Sequence, residues 1–433
     1  MKSGFNMKAL SFAVSLPVAL TACSSLQGNS AQSDKPATPA NVVEQYADIA
    51  HATYEDALIT ARALDVATDT LIANPTEANL QAAREAWLAS RVPYQQSEVF
   101  RFGNAIVDDW EGELNAWPLD EGMIDYVETS DYQYELGNAG ATVNIIASET
   151  INIGGETIDV ATLTPVLLAD LNEIGGSEAN VATGYHAIEF LLWGQDTHGF
   201  QAGNGERPAS DYVQGEGCTH GHCDRRAAYL DAATDLLISD LEWMVAQWAP
   251  GTTDNYRAEL TAMEPQAAIQ KMLFGMGSLS LGELAGERMK VALEANSFED
   301  EHDCFSDNTH NSHYYNALGI RNIYSGSYTR VDGTAVSGPS LSDLVAQSDP
   351  ALDKQLRDDL NQTMAALQTM KQTAEADSDA MTFDMMIAPG NEQGAKIIND
   401  AIVALVNQTG DIEEASRLLG VESLQPDDAG HTF

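Results

Sequence analysis

Residues 184–196 read Gly-Tyr-His-Ala-Ile-Glu-Phe-Leu-Leu-Trp-Gly-Gln-Asp. On a helix, His186 and Glu189 stand at i and i+3, so both side chains project from one face. One imidazole nitrogen and one carboxylate can then meet a single cation, the spacing that Glu-x-x-His uses in di-iron bundles. Their neighbours Ile188, Leu191, Leu192 and Trp193 are apolar, so the pair is expected to be partly buried, and a buried glutamate needs a partner. A His–Glu hydrogen bond satisfies the same spacing without metal, and for this motif alone it is the commoner outcome.

Hydrolytic zinc chemistry asks for more. Ala187 follows His186, so His-Glu-x-x-His is absent, and Phe190 follows Glu189, so the inverted form is absent too. No Gly-x-Ser-x-Gly elbow and no phosphate-binding loop points to another enzyme class. The net charge of −44 argues against nucleic acid and anionic lipid headgroups as partners. A high-salt habitat accounts for the bulk of that charge, so it does not by itself argue for metal.

The first residues have the layout of an export signal. Lys2 and Lys8 precede an apolar run from Ala9 to Leu20, and Leu20-Thr21-Ala22-Cys23 closes it with small residues before a cysteine. Such a run is shorter than the ~20 residues that span a bilayer. The segment resembles a bacterial lipobox, which implies cleavage at 1–22 and acylation of Cys23, and two or more acyl chains anchor stably. Ser24 follows in place of an aspartate, so sorting to the outer membrane, facing the periplasm, is expected. Residues 23–40 then form a polar, proline-containing tether, and the lipid is the chain's expected membrane contact. In an oxidising compartment Cys218 and Cys223 are expected to pair. The intervening His220 and His222 leave zinc or copper as the alternative, and Cys304 is expected as a buried thiol.

The elements that must position these residues are helical. Apolar periodicity runs over 41–73, 77–100, 163–174, 181–193, 224–248, 266–295, 341–346, 352–374 and 395–421. Asn74-Pro75-Thr76 breaks the first pair, and Pro93 should kink or split the second helix. A hairpin is expected around Gly154-Gly155, loops at 103–118 and 194–221, and an irregular stretch at 296–338 with a turn at Asp332-Gly333. The predicted fold is all-α with a minor β-hairpin. Its length suggests two bundles, 41–200 carrying the Gly-x-His-x-x-Glu motif and 224–421, joined by a linker at 201–223.

The eleven residues from His186 to Asp196 resemble the signature of the imelysin family, the peptidase M75 or iron-regulated-protein-A-like group of bacterial envelope proteins. Further stretches match: residues 91–103 with 115–118, Gly282 to Arg288, and Cys304 to His310 with Gly319 to Tyr324. The resemblance covers about 41–420. It implies two bundles packed side by side with the motif residues at their junction, and a role tied to iron uptake or iron-responsive expression.

Several residues could complete a site with His186 and Glu189. Glu98 and Arg101 share a helix face, with an ion pair between them as the alternative, and Asp307 and His310 lie where a loop can wrap a cation. A ligand set of His186, Glu189, Glu98 and Asp307 or His310 suits iron, with zinc or manganese as alternatives, over calcium or magnesium. Arg101, Trp117 and Trp193 would stand behind or wall the site, while Glu283 and Glu287 are weaker candidates and Met385-Met386 are expected in the core. The sequence thus predicts a lipid-anchored protein that takes iron or a ferric ligand and hands it to envelope uptake components. A metal-dependent M75-type peptidase and a docking protein for an organic ligand or partner are the rival expectations.

Overall fold

A computed structural model describes residues 36–421 and 424, except 131. The export signal, Cys23 and most of the tether lie outside the described residues. Thr38 caps the first helix, α1 (Pro39–Ala73), by a reciprocal pair of bonds with Asn41, and Pro39 fits the first turn because no N–H is needed there. Thr76 starts α2 (Glu77–Ser97) in the same way by accepting from the Asn79 N–H. Pro93 lies inside α2, which continues past it. Pro93 thus does not split the helix; lacking an N–H, it deprives one carbonyl of its ladder donor.

The next elements are α3 (Ala105–Leu114), the antiparallel pair β1 (Thr150–Ile153) and β2 (Glu156–Asp159), α4 (Pro165–Leu171) and α5 (Gly184–Trp193). The hairpin is where it was expected, turning on Gly154 and Gly155 at φ +62° and +88°. The 103–118 segment is not all loop, because α3 buries Val107, Trp110 and Leu114.

α6 (Cys223–Trp248) packs on α1 and α5. The helix after the 201–223 loop therefore joins the first bundle, and that loop does not divide the chain. α7 (Tyr256–Ala262) and α8 (Pro265–Ser278) follow. α8 runs into a π-helical stretch, Leu279–Val291, and ends in the short α9 (Ala292–Ala295).

The stretch expected to be irregular contains α10 (Thr309–Ser325), followed by the antiparallel pair β3 (Ser327–Thr329) and β4 (Ala335–Ser337). Thr309, Ser312, His313 and Asn316 are buried on α10, so the first half of its inward face is polar and hides the helix start from an apolar pattern. The chain closes with α11 (Leu341–Ser348), α12 (Pro350–Ala374), α13 (Phe383–Met386) and α14 (Glu392–Leu418). Apart from the two hairpins, the described architecture is all-α.

Two apolar cores result. The larger joins α1, α2, α5, α6 and α8 around Tyr54, Trp87, Trp193 and Trp248. The smaller joins the π stretch, α12, α13 and α14 around Leu284, Leu367, Phe383, Met386 and Leu405. α10 bridges them, packing on α2 on one side and α12 on the other. Its polar face is where the cores meet. Among the described residues no helix is long and apolar enough to cross a membrane.

Candidate metal centre

The motif begins with a constraint on the backbone. Gly184 has φ +76°, and a Cβ there would collide with the Leu114 carbonyl, so only glycine lets α5 start against the end of α3. Thr183 Oγ1 donates to the Glu113 carbonyl at 2.7 Å, and Trp87 Nε1 donates to the Tyr185 carbonyl at 2.9 Å. These bonds fix the first turn of α5 and hence His186.

His186 and Glu189 are 1% and 0% exposed, and His186 Nδ1 lies 3.1 Å from Glu189 Oε2. Glu189 Oε1 accepts from the Ser306 backbone N–H at 2.9 Å and from its hydroxyl at 2.6 Å. The segment before α10 thus closes over α5 and brings two residues that the spacing argument did not find. Asp303 Oδ1 lies 3.9 Å from His186 Nδ1, and the His302 ring is centred 4.9 Å from that of His186. Ligand atoms of His186, His302 and Asp303 all fall within 4.8 Å of one another.

Arg91 of α2 holds this group together. Its guanidinium donates to Asp303 Oδ1 and to Asn115 Oδ1, each at 2.7 Å, and lies 5.0 Å above the Tyr185 ring. Its Nη2 is also 3.3 Å from His302 Nε2, as is Gln95 Nε2. Both neighbours can only donate, so His302 Nε2 carries its lone pair toward Arg91 and Gln95. The other Asp303 oxygen accepts from Asn308 at 2.8 Å and from the Ser312 hydroxyl.

The electrostatics leave this set in ligand-ready states. Burial, with Arg91 second, pushes His186 down to about 3. Burial and then Arg288 push His302 well below the usual imidazole range. Against its own burial, Asp303 is held at about 2, chiefly by the Arg91 guanidinium beside it. Glu189 is pushed up by burial and then by Asp303. The centre therefore offers two neutral imidazoles and one ionised carboxylate, with Glu189 behind His186. His186 Nε2 is buried without a hydrogen-bond partner. A cation would compete with Arg91 Nη2, the positive charge the site already holds.

Of the expected ligands, His186 and Glu189 are brought together and the others are not. Glu98 is bound to Arg288 Nη2 at 2.8 Å. Arg101 turns to Asp108 at 2.9 Å and Glu111 at 3.5 Å, and Glu283 links it to Arg288, so the Glu98–Arg101 pair is replaced by a wider network. Asp307 lies with Glu301 and Asp384 in another cluster. His310 sits in the first turn of α10, with Nε2 3.5 Å from Glu375. Trp117 does wall the site, its ring 5.1 Å from that of His302 and its Nε1 donating to the Glu301 carbonyl at 2.8 Å. Trp193 packs on Trp87 at 5.3 Å, in the core. The signal for the missed residues was adjacency: Arg91 opens one of the matched stretches, and His302-Asp303 directly precede another.

Cys218 and Cys223 are disulfide-bonded, and His220 Nδ1 is 2.7 Å from Asp211, so that loop is not a thiolate metal site. Cys304 is a free, half-buried thiol. A cavity of ≈ 810 Å³ reaches His302 and Trp117 from the surface, with Glu111, Glu283, Glu287 and Glu299 on its walls. An acidic approach of that kind concentrates cations at the centre.

The imelysin model, of the peptidase M75 group, matches residues 50–412. The iron-regulated protein A of Synechococcus elongatus is 42% identical over 60 residues, a match spanning 14% of this chain and 17% of that protein. A crystal structure from Parabacteroides distasonis ATCC 8503, provisionally assigned as an iron-regulated protein A precursor, has a TM-score of 0.61 at 20% identity, covering 89% of this chain and 98% of its own. An imelysin-like protein from Psychrobacter arcticum 273-4 has a TM-score of 0.57 at 15% identity, covering 92% and 99%. At these identities the two structures speak for the fold. With the family model spanning most of the residues, the chain belongs to the imelysin family.

Proposed function

We propose that this protein binds iron as cargo at His186, His302 and Asp303, and serves iron acquisition from a lipid anchor on Cys23 in the bacterial envelope. The observation that carries the reading is the convergence of two neutral, buried imidazoles and one ionised carboxylate within 4.8 Å, at the end of an acidic cavity. Two histidines and one carboxylate leave positions open for further ligands, an arrangement suited to iron, with zinc or manganese as competitors. Glu189 is the residue behind the ligand. It fixes the His186 ring through Nδ1, as carboxylates do behind metal-bound histidines. Arg91 keeps Asp303 ionised before iron arrives and yields to it on binding. The iron-regulated names of the relatives agree with such a role.

The test is an equilibrium titration of the chain without its signal and Cys23, using Fe²⁺ under anaerobic conditions and Zn²⁺ as a probe. His186→Ala and His302→Ala are each expected to weaken binding roughly 100-fold, and Glu189→Gln roughly 10-fold. Equal affinity of wild type and both histidine variants would remove the assignment.

A further inference from the structure

The residue before His302 belongs to a second cluster. Glu301 meets Asp307 from the same segment and Asp384 from α13, with one oxygen of each within 4.8 Å of the others. Glu301 and Asp384 are each 1% exposed, while Asp307 keeps partial contact with solvent. Each carboxyl group has a buried oxygen without a hydrogen-bond partner: Glu301 Oε1, Asp307 Oδ1 and Asp384 Oδ2.

What surrounds these groups is oxygen and more negative charge. The Thr309 hydroxyl favours the ionised form of Glu301, and the Thr382 hydroxyl donates to Asp384 Oδ1. Asp196, at the end of the motif that starts in α5, adds its charge to all three. Among the described residues, the strongest influences on the three groups include no arginine, lysine or histidine. Burial and then mutual repulsion push Asp307 up to about 8, and burial pushes Asp384 to about 6. Three carboxylates gathered out of water with orphaned oxygens and no base are costly unless a cation sits among them.

We propose that Glu301, Asp307 and Asp384 form a second cation site, separate from the iron centre, that takes a hard divalent ion, Ca²⁺ first. Carboxylate oxygens alone select hard ions, and Ca²⁺ at 2.3–2.6 Å from each oxygen bridges groups this far apart. Mg²⁺ is the poorer fit because it demands near-ideal octahedral geometry and dehydrates reluctantly. The two sites share no residue, but Glu301 and His302 are consecutive. The second site would therefore pin the segment that carries His302 and Asp303 to α13.

The test uses the soluble chain stripped with a chelator, then thermal unfolding and calorimetric titration with CaCl₂ and with MgCl₂. At about 1 mM, Ca²⁺ is expected to raise the Tm of the wild type by about 2 °C or more, and Mg²⁺ by less. Glu301→Gln/Asp384→Asn should fold at least as well as the stripped wild type, because it removes repulsion, and should lose the Ca²⁺ shift. Its Zn²⁺ affinity should stay within about threefold of the wild type's, well inside the losses expected at ligands. His186→Ala should keep the full Ca²⁺ shift, so failure at one site is distinguishable from failure at the other. A wild type indifferent to Ca²⁺, or a double variant with an undiminished shift, would overturn the proposal.

Discussion

Arg91→Met is expected to cost the folded protein about 3–5 kcal/mol, the usual loss when one partner of a buried ion pair is removed. Arg91 and Asp303 are 1% and 0% exposed, and the guanidinium is the cation in direct contact with Asp303. Methionine fills much of the same volume against Trp87, Tyr94 and Tyr185, so the loss reports charge more than packing. Arg91→Lys keeps the charge but cannot reach both Asn115 and Asp303, and should fall between. A metal centre at Asp303 adds a sign that an ordinary ion pair would not show. With Arg91 gone, a divalent metal can take its place beside Asp303, so Zn²⁺ should raise the Tm of Arg91→Met more than that of the wild type. Denaturant unfolding with and without Zn²⁺ checks both statements. A loss under about 1 kcal/mol, or no added rescue by metal, would mean that Asp303 is balanced in some other way.

The second large effect is expected at Gly184. Alanine there must adopt φ +76° and place its Cβ against the Leu114 carbonyl, and backbone that is fixed in both partners cannot yield cheaply. Strain and overpacking together suggest a loss of roughly 2–5 kcal/mol. The displaced first turn of α5 also carries His186, so metal affinity should fall with stability. Gly410 in α14 is the control, since nothing lies within 4 Å of a Cβ there and its φ is ordinary. Gly410→Ala should stabilise by up to about 1 kcal/mol and leave metal binding unchanged. Thermal unfolding and Zn²⁺ titration of the two variants separate these outcomes.

These two positions also show what the sequence discloses. Helical spacing placed His186 and Glu189 on one face, and the structure puts them 3.1 Å apart. The long amphipathic helices announced themselves because water on one side and apolar neighbours on the other impose a period. His302 and Asp303 carry no period, since they come from a segment whose shape is set by bonds to α5 and α10. The start of α10 is hidden for a related reason: up to Asn316 its buried residues, Thr309, Ser312 and His313 among them, are polar, and only from Ala317 on are they apolar. Glu98 is expected as a ligand, with a pair to Arg101 as the alternative, because spacing along one helix shows nothing of more distant partners. The guanidinium that reaches Glu98 comes from Arg288, 190 positions away. The π-helical stretch around Gly282 and Gly286 looks like ordinary helix to a period of 3.6 residues, and the one-residue shifts within it become visible only in the hydrogen bonds.

The same contrast bears on the expected metal set. Asp307 and His310 are expected at the centre because an irregular segment can wrap a cation. The fold instead sends Asp307 toward Glu301 and Asp384, and His310 toward Glu375. Carboxylates expected in one mixed site are thus sorted apart, nitrogen with one carboxylate at the first cluster and oxygen alone at the second. That division gives each cluster a different preference among metals, which is why the two can be tested independently.

The central claim is that two histidines, one of them His302, hold the metal. X-ray absorption of the protein loaded with one equivalent of Zn²⁺ or Fe²⁺ addresses it directly, because imidazole rings give a multiple-scattering pattern that carboxylates lack. Wild type is expected to show two imidazole ligands among a nitrogen and oxygen shell, and His302→Ala to show one. A shell of oxygen alone, or a spectrum unchanged by His302→Ala, would contradict the account.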